Sequence, residues 1–103
     1  MSDLFTYGRW VVKDGMEGDF IERWDDLADW TAEHVEGSSW AMLLQDREDP
    51  RVFMSFGPWE SLEAIEAWRG VDGFQDRVGM LQELLASFEA LTMQTVASSG
   101  IRP

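Results

Sequence analysis

Trp59-Glu60-Ser61-Leu62-Glu63-Ala64-Ile65-Glu66-Ala67-Trp68, leading on to Phe74, is where a strand period gives way to a helical one. Ser61 suits the N-cap position, because its hydroxyl oxygen accepts from an otherwise unpaired first-turn amide. Leu62, Ile65 and Trp68 follow on one helical face, and the helix is predicted to reach Arg69. Just upstream, residues 40–45 and 52–56 form two short apolar runs. They are joined by Asp46-Arg47-Glu48-Asp49-Pro50-Arg51, a charged, proline-containing hairpin loop, and Gly57-Pro58 reads as the end of the second strand. Downstream, Gly70-Val71-Asp72-Gly73 interrupts the helix. Phe74, Val78, Leu81, Leu85 and Phe88 then recur at alternating spacings of four and three, which predicts a second helical stretch as far as Phe88. Residues 91–97 read as a last strand and residues 98–103 as a frayed tail.

Towards the N-terminus, residues 4–13 are rich in aromatic and β-branched side chains and stop at Asp14-Gly15, as a strand ending in a turn does. From Glu17 the period changes. Phe20, Trp24, Leu27 and Thr31 share one face while Glu22, Arg23, Asp25, Asp26 and Asp29 lie largely on the other, so a helix is predicted to about His34. The order is β-α-β-β-α-β: an α+β, ferredoxin-like sandwich whose four antiparallel strands carry both helices on one face. A sheet covered on one side only should be polar on the other. Here Phe5, Tyr7 and Val11 alternate with Leu4, Trp10 and Val12, and Trp40, Met42 and Leu44 alternate with Ala41 and Leu43. Both faces are apolar, so the second is expected to meet another copy of the chain in a homodimer.

The 103 residues make one domain, residues 1–103 with a core of about 4–98. A domain of this size buries only about two-thirds of the surface its unfolded chain exposes. Six Trp, six Phe and six Met are a heavy load for it, and they point to a pocket or a subunit interface. Cysteine is absent, which excludes disulfides, a thiolate nucleophile and a Cys-ligated metal. Twenty acidic residues against eight basic ones, Lys13 being the only lysine, give a net charge of -12 at pH 7. Such a surface repels a phosphate backbone or an anionic bilayer, so neither nucleic acid nor membrane is an expected partner. The longest purely apolar run, residues 40–44, is far too short to span a bilayer, and Met1-Ser2-Asp3 lacks a basic secretory n-region. A cytoplasmic location is expected. No phosphate loop, dinucleotide fingerprint, serine nucleophile motif or metal-ligand cluster occurs, and no cofactor or metal is expected.

The element order, the doubly apolar sheet and the Trp59…Trp68…Phe74 phrase together resemble the antibiotic biosynthesis monooxygenase-like domain of the dimeric α/β-barrel superfamily. Lys13-Asp14-Gly15, Phe20, Glu36-Gly37 and Asp49-Pro50-Arg51 fit the family's habits, and the resemblance runs from about residue 4 to residue 98. It implies a dimeric barrel. It also implies one of the family's activities, which include cofactor-independent oxidation of anthrones and quinols and the degradation of haem. Of the haem-degrading residues only the Trp carries over, as Trp68. With Gly15 and Phe74 as anchors, Gly8 stands at the family's Asn position and Val78 at its His position, which argues against that branch. In much of the quinol-oxidising branch the position of Trp68 is His, a departure that removes a candidate base.

The candidate catalytic residues are Trp68, Arg77 and His34; the candidate substrate-binding residues are Trp68, Trp30, Trp40, Phe74 and Tyr7. Trp68 is either a core residue packing helix on sheet or a pocket wall whose indole N–H is aimed at a substrate carbonyl or phenolate. Arg77, three residues after Phe74, would hold an enolate or phenolate oxygen, or else pair with Asp76, Glu83 or another of the many carboxylates. His34 closes a helix, where a cation complements the dipole, and is also the only imidazole available for proton transfer. Trp30 lies off the main apolar stripe and is the Trp expected to line an opening. Trp59 is expected to plug the start of its helix, and Trp40, Tyr7 and Arg9 also suit an interface. The leading expectation is a cofactor-independent monooxygenase of a phenol, anthrone or quinol. A non-catalytic binding protein for a small aromatic ligand is the alternative, and haem binding, which would need His34 as axial ligand, is a third.

Overall fold

Strand β1 (Leu4–Val12) is central to a four-stranded sheet in the computed structural model, which describes residues 4–100. It pairs with β3 (Val52–Trp59) on one side and β4 (Leu85–Gln94) on the other, and β2 (Met42–Gln45) lies beyond β3. Every neighbouring pair is antiparallel. With helices α1 (Glu17–His34), α2 (Leu62–Gly70) and α3 (Asp72–Gln82), this is the α+β, ferredoxin-like arrangement. Expectations for residues 1–3 and 101–103 lie outside the described residues. No described helix is long and apolar enough to cross a membrane.

The two-residue period of β1 decides which side chains meet the helices. Gly8, Trp10 and Val12 are buried, whereas Arg9 between them is exposed. In register, Gly8 stands opposite Ser55 and Ala90, and Trp10 opposite Phe53 and Phe88. These residues form the helix-side face. Its core gathers Trp10, Val12, Phe20, Leu27, Phe53, Leu81 and Leu84, with the Phe20 ring 4.8 Å from Phe53 and 5.4 Å from Trp10. Each fully buried side chain of this kind contributes roughly 1.5–3 kcal/mol through removal from water. The opposite face carries Met42, Leu44, Met54, Leu91 and Met93, all exposed.

Ser61 caps α2 as its sequence position suggests: it is extended, and its Oγ accepts from Ala64 N at 3.1 Å. The break after α2 is a single extended residue, Val71 (φ -84°, ψ 146°), so the second helical layer is two helices at an angle.

Several boundaries differ from expectation. Strand β3 runs through Gly57-Pro58 to Trp59, because β2 pairs no further than Phe56 and leaves the proline on an edge stretch that asks less of its missing N–H. Strand β2 correspondingly begins at Met42, two residues late. Helix α3 stops at Gln82, and the last strand spans Leu85–Gln94, not 91–97. Leu85 and Phe88 continue the helical spacing of Leu81 by coincidence. What decides their state is the backbone of β1, whose polar groups need a partner along its length. Strand β4 supplies it from Leu4 opposite Gln94 to Val12 opposite Leu85, across an irregularity at Val11/Val12.

Candidate functional site

Between helices and sheet, bordered by the core residues Trp10 and Leu27, lies a cavity of about 550 Å³. Its floor is the helix-side face of β1 and β3, with Thr6, Gly8, Ser55 and Trp59. Helix α1 contributes Trp24, Ala28 and Thr31, α2 contributes Trp68 and Arg69, and α3 contributes Phe74 and Val78. Phe88 and Ala90 border it from β4.

The walls are aromatic. Trp68 lies 4.8 Å from Trp59 at 37° and 4.3 Å from Phe74 at 58°, while Trp10 stacks on Phe88 at 4.3 Å. Three indoles would each bury a polar N–H here, and each finds a hydroxyl. Trp10 Nε1 donates to Ser55 Oγ at 2.9 Å, Trp59 Nε1 to Thr6 Oγ1 at 3.1 Å, and Trp68 Nε1 to Thr31 Oγ1 at 3.0 Å. Gly8 makes room for the first pair: a Cβ there would come within 2.8 Å of Trp10 Nε1 and 2.9 Å of Ser55 Oγ. Charge is confined to the border. Asp25 and Asp29 of α1 are exposed, and Arg69 is the one basic residue among the described lining, its Nη1 donating to Thr92 Oγ1 at 3.3 Å. Among the described residues no group of three or more His, Asp or Glu is placed to hold a metal ion.

Of the residues singled out in the sequence, the cavity brings together Trp68, Phe74, Trp40 and Tyr7. Two of these sit at its margin. Tyr7 pairs with Phe56 and Leu91 in the row that alternates away from Gly8 and Trp10, and Trp40 is about half exposed, edge-on to Phe5 and Phe56. Arg77, Trp30 and His34 do not line the cavity. They form a separate cluster where α1 meets α3. The Arg77 guanidinium lies 4.8 Å over the Trp30 ring, which stacks at 16° on His34. Arg77 Nη1 donates to Gly73 O, and its Nε is 3.3 Å from Asp26 Oδ2, an ion pair without a hydrogen bond at Nε. A side chain on Gly73 would collide with Trp30, so this packing is tight. His34 Nδ1 lies 3.0 Å from Trp30 O, in the last turn of α1.

The structure adds Thr6, Thr31, Ser55 and Arg69 to the site. One signal for the hydroxyls exists in the sequence: Thr31 continues the apolar stripe of Phe20, Trp24 and Leu27, and Ser55 interrupts an apolar strand. A polar group in an apolar row needs a buried partner. Trp59, expected as a plug, is buried and is also a wall. Of the two readings of Trp68, core residue or pocket wall, the ring lines the cavity, while its indole N–H donates inward to Thr31 and not to the open space.

The sequence profile of the antibiotic biosynthesis monooxygenase family matches residues 5–80. Among curated protein sequences none matches the chain. Solved structures do. SnoaB, a cofactor-independent oxygenase from Streptomyces nogalater, superposes with a TM-score of 0.88 over 98% of this chain and 100% of its own, at 17% identity. A candidate antibiotic biosynthesis monooxygenase from Deinococcus radiodurans gives 0.82 over 97% and 99%, at 14% identity. A conserved protein from Methanosarcina mazei gives 0.81 over 91% and 93%, at 19% identity. At these identities the likeness is one of fold.

Proposed function

The chain belongs to the antibiotic biosynthesis monooxygenase family, and from that premise we propose that it is a cofactor-independent monooxygenase of a phenol, anthrone or quinol. The observation that carries the reading is the cavity, walled by Trp59, Trp68 and Phe74 and about large enough for a fused-ring aromatic. SnoaB, an oxygenase that works without a cofactor, has the same fold.

The chemistry asks little of the protein. The anion of an anthrone or hydroquinone gives an electron to O₂; the resulting radical and superoxide combine at one carbon, and loss of water leaves a carbonyl. One oxygen atom ends in the product and the other in water, with the substrate as the reductant. The protein has only to bind the rings, favour the anion and exclude bulk water. Trp68, Trp59 and Phe74 would supply the first. Arg77, outside the cavity, is not placed for the second; Arg69, on its border, is the cation within reach of a bound anion. Asp25 and Asp29, also on the border, are the carboxylates nearest to a proton leaving the substrate. The exposed apolar row of Met42, Met54, Leu91 and Met93 supports the accompanying proposal of a homodimer closed sheet to sheet.

Oxygen uptake by the metal-stripped protein against a panel of anthrones and hydroquinones tests the activity. The expected result is uptake above the uncatalysed rate, unchanged by chelator, abolished in Trp68→Ala and reduced by about tenfold or more in Arg69→Gln. The interior itself holds hydroxyls and indoles and no titratable base, which favours a second reading, a ligand-binding protein. No uptake anywhere on the panel, with ligands still quenching tryptophan fluorescence, would decide for that.

A further inference from the structure

Each of the three hydroxyls that serves an indole has a proton of its own. Thr6 Oγ1, Thr31 Oγ1 and Ser55 Oγ accept from Trp59, Trp68 and Trp10 respectively, and none has another protein partner among the described residues. Thr31 and Ser55 are buried. The usual outlet for a helical threonine, the backbone carbonyl four residues back, here that of Leu27, is not taken by Thr31. A hydroxyl oxygen occupied by an indole N–H keeps its O–H as the group left to satisfy, and the polarisation from the first bond strengthens the second. All three residues line the cavity.

We infer that the cavity selects its ligand through these hydroxyls acting as donors, and therefore takes an aromatic molecule that presents acceptor oxygens, a quinone or the carbonyl and phenolate forms related to it. The inference rests on the reading of the cavity as an aromatic substrate's site and refines it. Thr6 and Ser55 are diagonal neighbours on the sheet, since Thr6 pairs with Gly57 and Gly8 with Ser55. Thr31 is on α1, the opposite wall. A planar ligand is thus addressed on more than one edge. The indoles do not touch its oxygens through their N–H groups; they hold the hydroxyls in the donor orientation and present ring faces. Thr6, Thr31 and Ser55 are specificity residues.

The test is equilibrium dialysis of the whole protein with 1,4-naphthoquinone and with naphthalene, similar flat molecules that differ in two carbonyl oxygens. The affinity ratio of the two is compared between wild type and variants, which cancels their different hydrophobicities. Thr31→Val and Ser55→Ala are each expected to lower the quinone-to-naphthalene ratio by about three- to tenfold, the change that one hydrogen bond makes. Thr31→Ser is expected to restore it, and the naphthalene affinity reports whether a variant has kept its cavity. An unchanged ratio in Thr31→Val and Ser55→Ala overturns the inference and leaves the aromatic site standing. Binding of neither compound to the wild type removes both. A ratio that falls as expected in a protein that consumes no oxygen upholds the inference while the oxygenase reading fails.

Discussion

Gly8 owes its place to space and not to backbone freedom, for its φ is not positive. The Trp10–Ser55 hydrogen bond occupies the volume that a side chain would need. Gly8→Ala gains roughly 0.5–1 kcal/mol from a stiffer unfolded chain. It costs about 1–3 kcal/mol in overpacking against an indole that is itself wedged between Phe20 and Phe88. The net expectation is destabilisation, read as a lower urea midpoint with an unchanged slope; a midpoint at or above wild type would contradict it. At this scale the site was only half legible. Trp68 and Phe74 announce themselves by their spacing in one helical layer. Thr31 and Ser55 stand out as polar groups in apolar rows, but the indole that each hydroxyl serves does not, because Thr6 lies 53 positions from Trp59 and Thr31 lies 37 from Trp68. Arg77 and Val78 are adjacent in α3, yet Val78 lines the cavity while Arg77 turns to α1. That division comes from tertiary packing.

The β2–β3 hairpin shows an element held by its loop. The Asp46 carboxylate accepts from Glu48 N at 2.7 Å and Asp49 N at 3.1 Å, and these two bonds, the Glu48 amide first, hold its carboxyl below the usual carboxylate range. A pKa lower in the folded than in the unfolded chain means that the contribution to stability is complete above the ordinary value, about 3.9. It is lost as pH falls through the lowered one. Asp46→Asn keeps an acceptor oxygen but cannot titrate. Its urea midpoint should fall less steeply than that of wild type as the pH is lowered past 4; parallel curves would show that the loop does not respond to this proton. The hairpin was legible because turn chemistry is local: Asp, Pro and charge sit between apolar runs. The α3–β4 boundary was not. Leu81, Leu85 and Phe88 satisfy helical spacing, and only the need of β1 for a second neighbour turns residues 85–94 into a strand. A long-range demand of this sort leaves no mark in a local window.

For the molecule as a whole, the uncovered surface is the far side of the sheet. Met42, Leu44, Met54, Leu91 and Met93 are exposed there, beside the half-exposed Trp40. Apolar alternation on both faces was visible in the sequence, and the structure covers only one of them with helices. Closing the other against a second copy would take an interface of roughly 1,200–2,000 Å². The expected sedimentation mass at micromolar concentration is twice that of the 11.8 kDa chain, and Leu91→Glu should bring it to one while the far-ultraviolet dichroism keeps its helical bands. A wild-type mass near a single chain would remove the dimer. The tilted indole pair at the cavity wall has an optical consequence as well. Two indoles with centroids 4.8 Å apart and planes inclined at 37° cannot absorb independently. Their strong ultraviolet transitions mix into a split pair whose rotational strengths have opposite signs, a couplet that depends on the angle between Trp59 and Trp68. The protein thereby carries an intrinsic chiroptical gauge at the wall of its own cavity, one that needs no label and changes when the two rings move.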